Sequence, residues 1–108
     1  MKPQDLTGYQ RKFLRSLAHP LKPIVLIGNR GHTDAVAEAL DAALLKHELV
    51  KVKFNDDKTK EFKAKTTSEL ERATHSQVVG MIGHTAIYYR PHPEPEKRKI
   101  TIPRKGLR

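Results

Sequence analysis

The stretch from Ile24 to Phe54 constrains the fold more than any other part of the chain. Pro20 closes a preceding helical pattern and Pro23 blocks its restart. Ile24-Val25-Leu26-Ile27 is then an aliphatic run without polar alternation, which predicts a strand buried on both faces. Gly28-Asn29-Arg30-Gly31 follows. From Asp34 the apolar residues Val36, Ala37, Leu40, Ala43 and Leu44 recur at helical spacing, with Thr33 as the expected N-cap. This helix should end near His47. Leu49-Val50-Lys51-Val52-Lys53-Phe54 largely alternates apolar with basic, the period of a strand with one wet face. Strand, helix, strand reads as a crossover unit, right-handed in about 98% of cases. The two strands should be parallel, with the glycine loop at a strand C-terminal end.

The flanking segments extend this unit. Thr7 and Gln10 have capping-box spacing with Leu6 as a staple, so a helix should begin there. Tyr9, Phe13, Leu14 and Leu17 share one face of it, which places Tyr9 in the core, while Arg11, Lys12 and Arg15 fall mostly on the other. Asn55-Asp56-Asp57 is a turn and cap signal. A third helix is expected from Lys58 to about Thr74, or a shorter one capped by Ser68. Val78–Ile82 and Thr85–Tyr89 flank Gly83-His84, the signal of a type II′ hairpin, so these two strands should pair antiparallel. Tyr88 and Tyr89 point to opposite faces, which makes one a core residue and leaves the other as a possible platform for a base.

With 108 residues the chain is long enough for one domain and too short for a second core. Residues 1–90 form the expected domain. Residues 91–108 hold four of the seven prolines and six Lys or Arg against two Glu, and read as a basic, Pro-rich tail. Lys99-Ile100-Thr101-Ile102 alternates like a strand and could add to a sheet edge.

Charge narrows the partner. Lys and Arg number 21 against 12 acidic residues, for a net charge of +9, which makes a polyanion, and nucleic acid first, the expected ligand. No cysteine is present, which excludes disulfides, thiolate nucleophiles and Cys-ligated metals and fits a reducing compartment, the cytoplasm. The longest aliphatic run is far short of the roughly 20 residues of a membrane helix, and the N-terminal residues lack the apolar stretch of a signal peptide. The six histidines are not paired at i, i+3 or i, i+4, and the serines have no nucleophile context. No metal, cofactor or catalytic residue is expected.

The glycine loop is the most informative segment. Two glycines allow close backbone approach to a phosphate, a helix N-terminus follows at once, and Arg30 supplies a forked cation. The loop matches neither the nucleotide-triphosphate nor the dinucleotide glycine pattern. It shares the G-x-x-G of KH domains, but there the loop joins two helices and here an apolar strand leads into it. No acidic residue occurs from Leu6 to Thr33, so Arg11, Lys12, Arg15, Lys22 and Arg30 form a one-signed set. Lys51 and Lys53 share a sheet face, where solubility is the simpler role.

An ordered series of segments carries a family resemblance: Leu14-Arg15-Ser16-Leu17-Ala18-His19-Pro20-Leu21-Lys22-Pro23, Ile27-Gly28-Asn29-Arg30-Gly31-His32-Thr33, His47-Glu48-Leu49-Val50-Lys51-Val52-Lys53, Val79-Gly80-Met81-Ile82-Gly83-His84-Thr85, Tyr88-Tyr89-Arg90-Pro91 and Arg98-Lys99-Ile100. Together these resemble the CRM (chloroplast RNA splicing and ribosome maturation) domain family, in particular its small stand-alone bacterial members of the YhbY type. The resemblance implies an α/β fold of order α-β-α-β-α-β-β with a mixed four-stranded sheet, similar to the C-terminal domain of translation initiation factor three. It implies RNA binding, with the large-subunit ribosomal RNA precursor as partner and a role in subunit assembly. The family's loop falls on Gly28, Asn29, Arg30 and Gly31, and its basic first helix on Arg11, Lys12 and Arg15; Lys22 extends that surface. The family loop often has its basic residue directly after the first glycine, where this chain has Asn29. The expected protein is therefore a cytoplasmic, monomeric, non-catalytic RNA binder. The rivals are an RNA-processing enzyme using a histidine with Asp56 or Asp57, and a protein-interaction module docking through Phe54 or Ile100-Thr101-Ile102.

Overall fold

A computed structural model describes residues 6–55 and 58–104. Three helices, α1 (Gly8–Ala18), α2 (Asp34–His47) and α3 (Lys60–Thr74), alternate with strands β1 (Val25–Ile27), β2 (Leu49–Phe54), β3 (Gln77–Ile82) and β4 (Thr85–Tyr89). The strands form one mixed sheet in the order β1-β2-β4-β3, with β1 parallel to β2 and the other pairs antiparallel. The chain is thus a single α/β domain of the expected element order.

Local chemistry starts each helix. The Thr7 hydroxyl accepts from the Gln10 amide while the Gln10 side chain accepts from the Thr7 amide, a complete capping box. Thr33 caps α2 and Thr59 caps α3. Thr59, rather than Ser68, starts the third helix; Thr66 and Thr67 are buried in its middle, so packing overrides their low propensity. Asp56 and Asp57 lie outside the described residues. In the hairpin only Gly83 of the two central residues has positive φ (60°), the II′ pattern.

Each face of the sheet has its own core. Val25, Ile27, Val50, Val52, Phe54, Ala86 and Tyr88 pack beneath Leu40, Leu44 and Leu70 of α2 and α3. On the opposite face Leu49, Val79, Ile87 and Tyr89 pack beneath Leu14 and Ala18 of α1. Both tyrosines are buried, so neither is a platform: Tyr88 donates to the Thr67 carbonyl (3.1 Å), and Tyr89 lies under α1 and the C-terminal segment. Tyr9 instead stands at the surface, 49% exposed, because α1 rotates to bring Leu14 and Ala18 inward. β1 is buried on one face only, with Leu26 70% exposed, because α1 does not reach that far across the sheet.

One buried carboxylate organises the C-terminal residues. Glu48, between α2 and β2, is fully buried at φ 66° and ψ −34°, a sparsely populated backbone conformation that costs a non-glycine residue about 1–3 kcal/mol. Its Oε1 accepts from the amides of Lys99 (2.7 Å) and Ile100 (3.0 Å), its Oε2 from that of His92 (2.8 Å), and its carbonyl from that of Arg90 (2.9 Å). Residues 91–104 are thereby strapped across the α1 face, where Ile100 and Ile102 pack with Leu6 and Phe13. Lys99–Ile102 forms no strand and pairs with no sheet edge; its amides bond the carboxylate instead. Of the docking residues of the protein-interaction alternative, Phe54 is in the core at 1% exposure, Ile100 and Ile102 are half-buried against the α1 cluster, and Thr101 is exposed.

Glu48→Ala leaves three backbone donors without their carboxylate and should lower stability by about 3 kcal/mol or more. Amide hydrogen exchange should speed first at His92, Lys99 and Ile100. Burial, reinforced by the Glu48 charge and opposed by Arg98, pushes the Tyr89 phenol up to about 12. The folded state therefore holds a proton that the unfolded chain releases near pH 10, so stability should fall as pH rises from about 10 to about 12. Denaturant midpoints across that window should show a smaller fall for Tyr89→Phe.

Candidate nucleic-acid interface

The topology gathers three connections at one edge of the sheet. β1 and β2 run parallel, so their C-terminal ends lie side by side, followed by residues 28–33 and by Asn55. β4 runs against β2, so the Gly83-His84 turn joins them. α2 and α3 both begin here, which directs two helix N-termini, with their positive dipole ends, at the same edge. The C-terminal edge of parallel strands is where open α/β sheets bind ligands.

Within the glycine loop the two glycines differ. Gly31 is buried at a φ of 67°, and a Cβ there would sit 2.9 Å from Thr66 Oγ1 and 3.0 Å from the Phe62 ring. The loop base is therefore clamped on α3 and only glycine fits. Gly28 has no positive φ, lies exposed, and would place a Cβ in open space. Gly28, Asn29 and Arg30 are all exposed, with the Gly28 carbonyl accepting from the Gly31 amide (3.2 Å). The Asn29 Oδ1 accepts from Lys58 Nζ at 2.6 Å, tying the loop tip to the start of α3. Arg30 is exposed and has no hydrogen bond or ion pair with the described residues.

Lys58 and Lys63, which belong to no motif, also stand at this edge. Lys58 stands over the Phe62 ring, 5.2 Å from its centre, and Lys63 Nζ approaches the Gly83 carbonyl (3.4 Å) and His84 Nδ1 (3.2 Å). Lys63 thus joins α3 to the hairpin beside the glycine loop. The one available signal was the concentration of Lys58, Lys60, Lys63 and Lys65 at the start of a helix. Its meaning depends on which strands are neighbours.

The first helix presents its charges unevenly. Arg11 donates to the Val78 carbonyl, and Arg15 Nη1 donates to the Val79 carbonyl at 2.9 Å. The Arg15 stem lies over Gly80, where a Cβ would come 2.6 Å from its Cδ. Both guanidinium groups therefore bind the irregular stretch of edge strand β3, where the register shifts between Val78 and Gly80. Each keeps further donors. Lys12 and Lys22 point to solvent. Lys51 is held by the His19 and Leu21 carbonyls (3.2 and 2.9 Å) and fixes the link between α1 and β1, whereas Lys53 stays exposed.

Residues 6–90 match the model of the CRS1/YhbY (CRM) domain. The chain belongs to the CRM domain family. It is 39% identical over 102 residues to an RNA-binding protein of Haemophilus influenzae, covering 93% of this chain and 97% of that one. It is 36% identical to YqeI of Bacillus subtilis, named a probable RNA-binding protein, covering 91% and 99%. The solution structure of a Staphylococcus aureus protein for which RNA binding has been suggested superposes with a TM-score of 0.74 at 33% identity, over 90% of this chain and all of that one. These similarities span the glycine loop, α1 and the hairpin of this CRM domain together. No helix among the described residues is long and apolar enough to cross a membrane.

Gly31→Ala should destabilise by about 2–4 kcal/mol, through the positive φ and the contact with α3. Gly28→Ala should change stability by less than about 1 kcal/mol. Paired urea unfolding curves of the two variants separate a structural glycine from an accessible one.

Proposed function

We propose that this CRM domain is a non-catalytic RNA-binding protein that grips phosphates at the three-loop edge, with the basic residues of α1 as a second contact. The observation that carries this reading is the convergence of an exposed loop tip, two helix N-termini and exposed cations at one sheet edge. Backbone amides at Gly28, Asn29 and the start of α2 suit a phosphate oxygen, and Arg30 offers it a forked donor. Lys12 and Lys22 extend the positive field, and Arg11 and Arg15 add donors while anchoring β3. Such contacts read backbone and shape more than base edges.

The RNA we infer is the precursor of large-subunit ribosomal RNA, bound in the cytoplasm by a monomer during subunit assembly. The net charge, the family membership and the relatives' RNA binding support this reading. Arg30→Glu combined with Lys12→Glu should weaken RNA binding and flatten its dependence on salt, each lost phosphate contact reducing the log–log slope by roughly one. Unchanged affinity in the double variant sinks the proposed surface. In gradient sedimentation at low magnesium, the protein should travel with large-subunit precursors and leave them as salt is raised; a protein that stays at the top throughout rules out the ribosomal partner.

A further inference from the structure

The α1 face of the sheet is covered on one half only. At the end remote from the glycine loop, α1 and the strap of residues 91–104 lie over Leu49 and Tyr89. At the loop end, Leu26, Lys53, Thr85 and Ile82 stand directly opposite one another across all four strands, so their side chains form one row on that same face. The row crosses three strand spacings of about 4.8 Å, or roughly 14 Å. Leu26 and Ile82, at 70% and 64%, are the two most exposed large apolar residues among those described, and both are on edge strands. Exposed aliphatic residues on an edge strand invite association and are ordinarily avoided. Lys53 stands between them, and the Arg15 stem lies over Gly80, two residues before Ile82 on β3.

We propose that this uncovered half-face carries single-stranded RNA leading away from the glycine loop. The inference rests on the RNA-binding reading and adds the form of the RNA and its path. Continuity supports it: Leu26 is two residues from Gly28, Ile82 adjoins Gly83, and Lys53 is two residues before Asn55, so each lies next to a connection of the loop edge. Charge supports it as well, since Lys53 and the Arg15 over Gly80 are basic and the row contains no carboxylate. The apolar ends select the strand form. A duplex turns phosphates and hydroxyls outward and leaves Leu26 and Ile82 without an apolar partner, whereas an unpaired strand offers ribose and base faces to them and a phosphate to Lys53. The row has no aromatic ring, so contact through it discriminates little between bases.

The test uses the full chain with an unstructured RNA of about 12 nucleotides, within the range of single-strand sites, and a duplex of equal length. Lys53→Glu with Leu26→Ser and Ile82→Ser should weaken single-strand binding by about tenfold or more, the effect of losing roughly 1.4 kcal/mol, and change duplex binding little. Crosslinks from thiouridine-substituted RNA should fall on the β1 and β3 peptides. If Arg30→Glu weakens binding while the row variant does not, the half-face inference fails and the loop reading stands. If neither variant matters, or the wild-type chain binds no RNA, both fail. Equal loss on duplex overturns the single-strand assignment. If the row variant keeps full RNA affinity but loses a protein recovered with the wild type, the half-face is a protein surface and the inference is wrong.

Discussion

The parallel pairing of β1 with β2 is the constraint on which the rest of this CRM domain depends. Three registered residue pairs, Val25 with Val52, Leu26 with Lys53 and Ile27 with Phe54, place two strand ends at the same level. α2 must then cross back over the sheet, and it buries Leu40 and Leu44 on Val25, Ile27, Val50 and Val52. The level ends bring the glycine loop beside the start of α3. A slip of one residue would turn Phe54 and Val52 to the α1 face and send Lys53 into the core. Core packing and site geometry therefore share one register.

Glu48 sets the other boundary. Its carboxylate holds three amides of the C-terminal segment, which keeps Ile100 and Ile102 against α1 and closes the remote half of that face. Arg90 reinforces the same corner by bonding Asp41 of α2 (2.6 Å) and the Thr74 carbonyl at the end of α3 (2.7 Å). Helices, strap and sheet are thus locked together at the end away from the loops. The loop edge carries the exposed Arg30, with Lys58 and Lys63 beside it.

Much of the site was legible because its signals are local. Gly31 and Gly83 stand at positive φ, which favours glycine, and the Thr33 cap is a side-chain hydrogen bond from an amide three residues on. The direction of Arg11 and Arg15 was not legible: helical periodicity sets them apart from Leu14, but whether that flank meets solvent or edge strand β3 depends on how α1 crosses the sheet. The partners of Lys58 and Lys63 were not legible for a related reason, since Lys58 reaches Asn29 and Lys63 reaches the hairpin turn only once the strands are placed side by side. Tyr9 and Leu26 read as buried from their apolar neighbours, yet Tyr9 turns outward on α1 and Leu26 lies where α1 does not reach.

From the sequence alone follow the order of elements, the parallel unit, the hairpin, the positive charge and the glycine loop, because capping, periodicity and turn chemistry act over a few residues. Family membership was readable from the motif series for the same reason. Only the tertiary structure decided that β4 inserts between β2 and β3, that the last segment straps to Glu48, and that half of one sheet face stays bare. Those outcomes depend on contacts between residues tens of positions apart, where the burial of one surface competes with that of another and local pattern carries no record of the result.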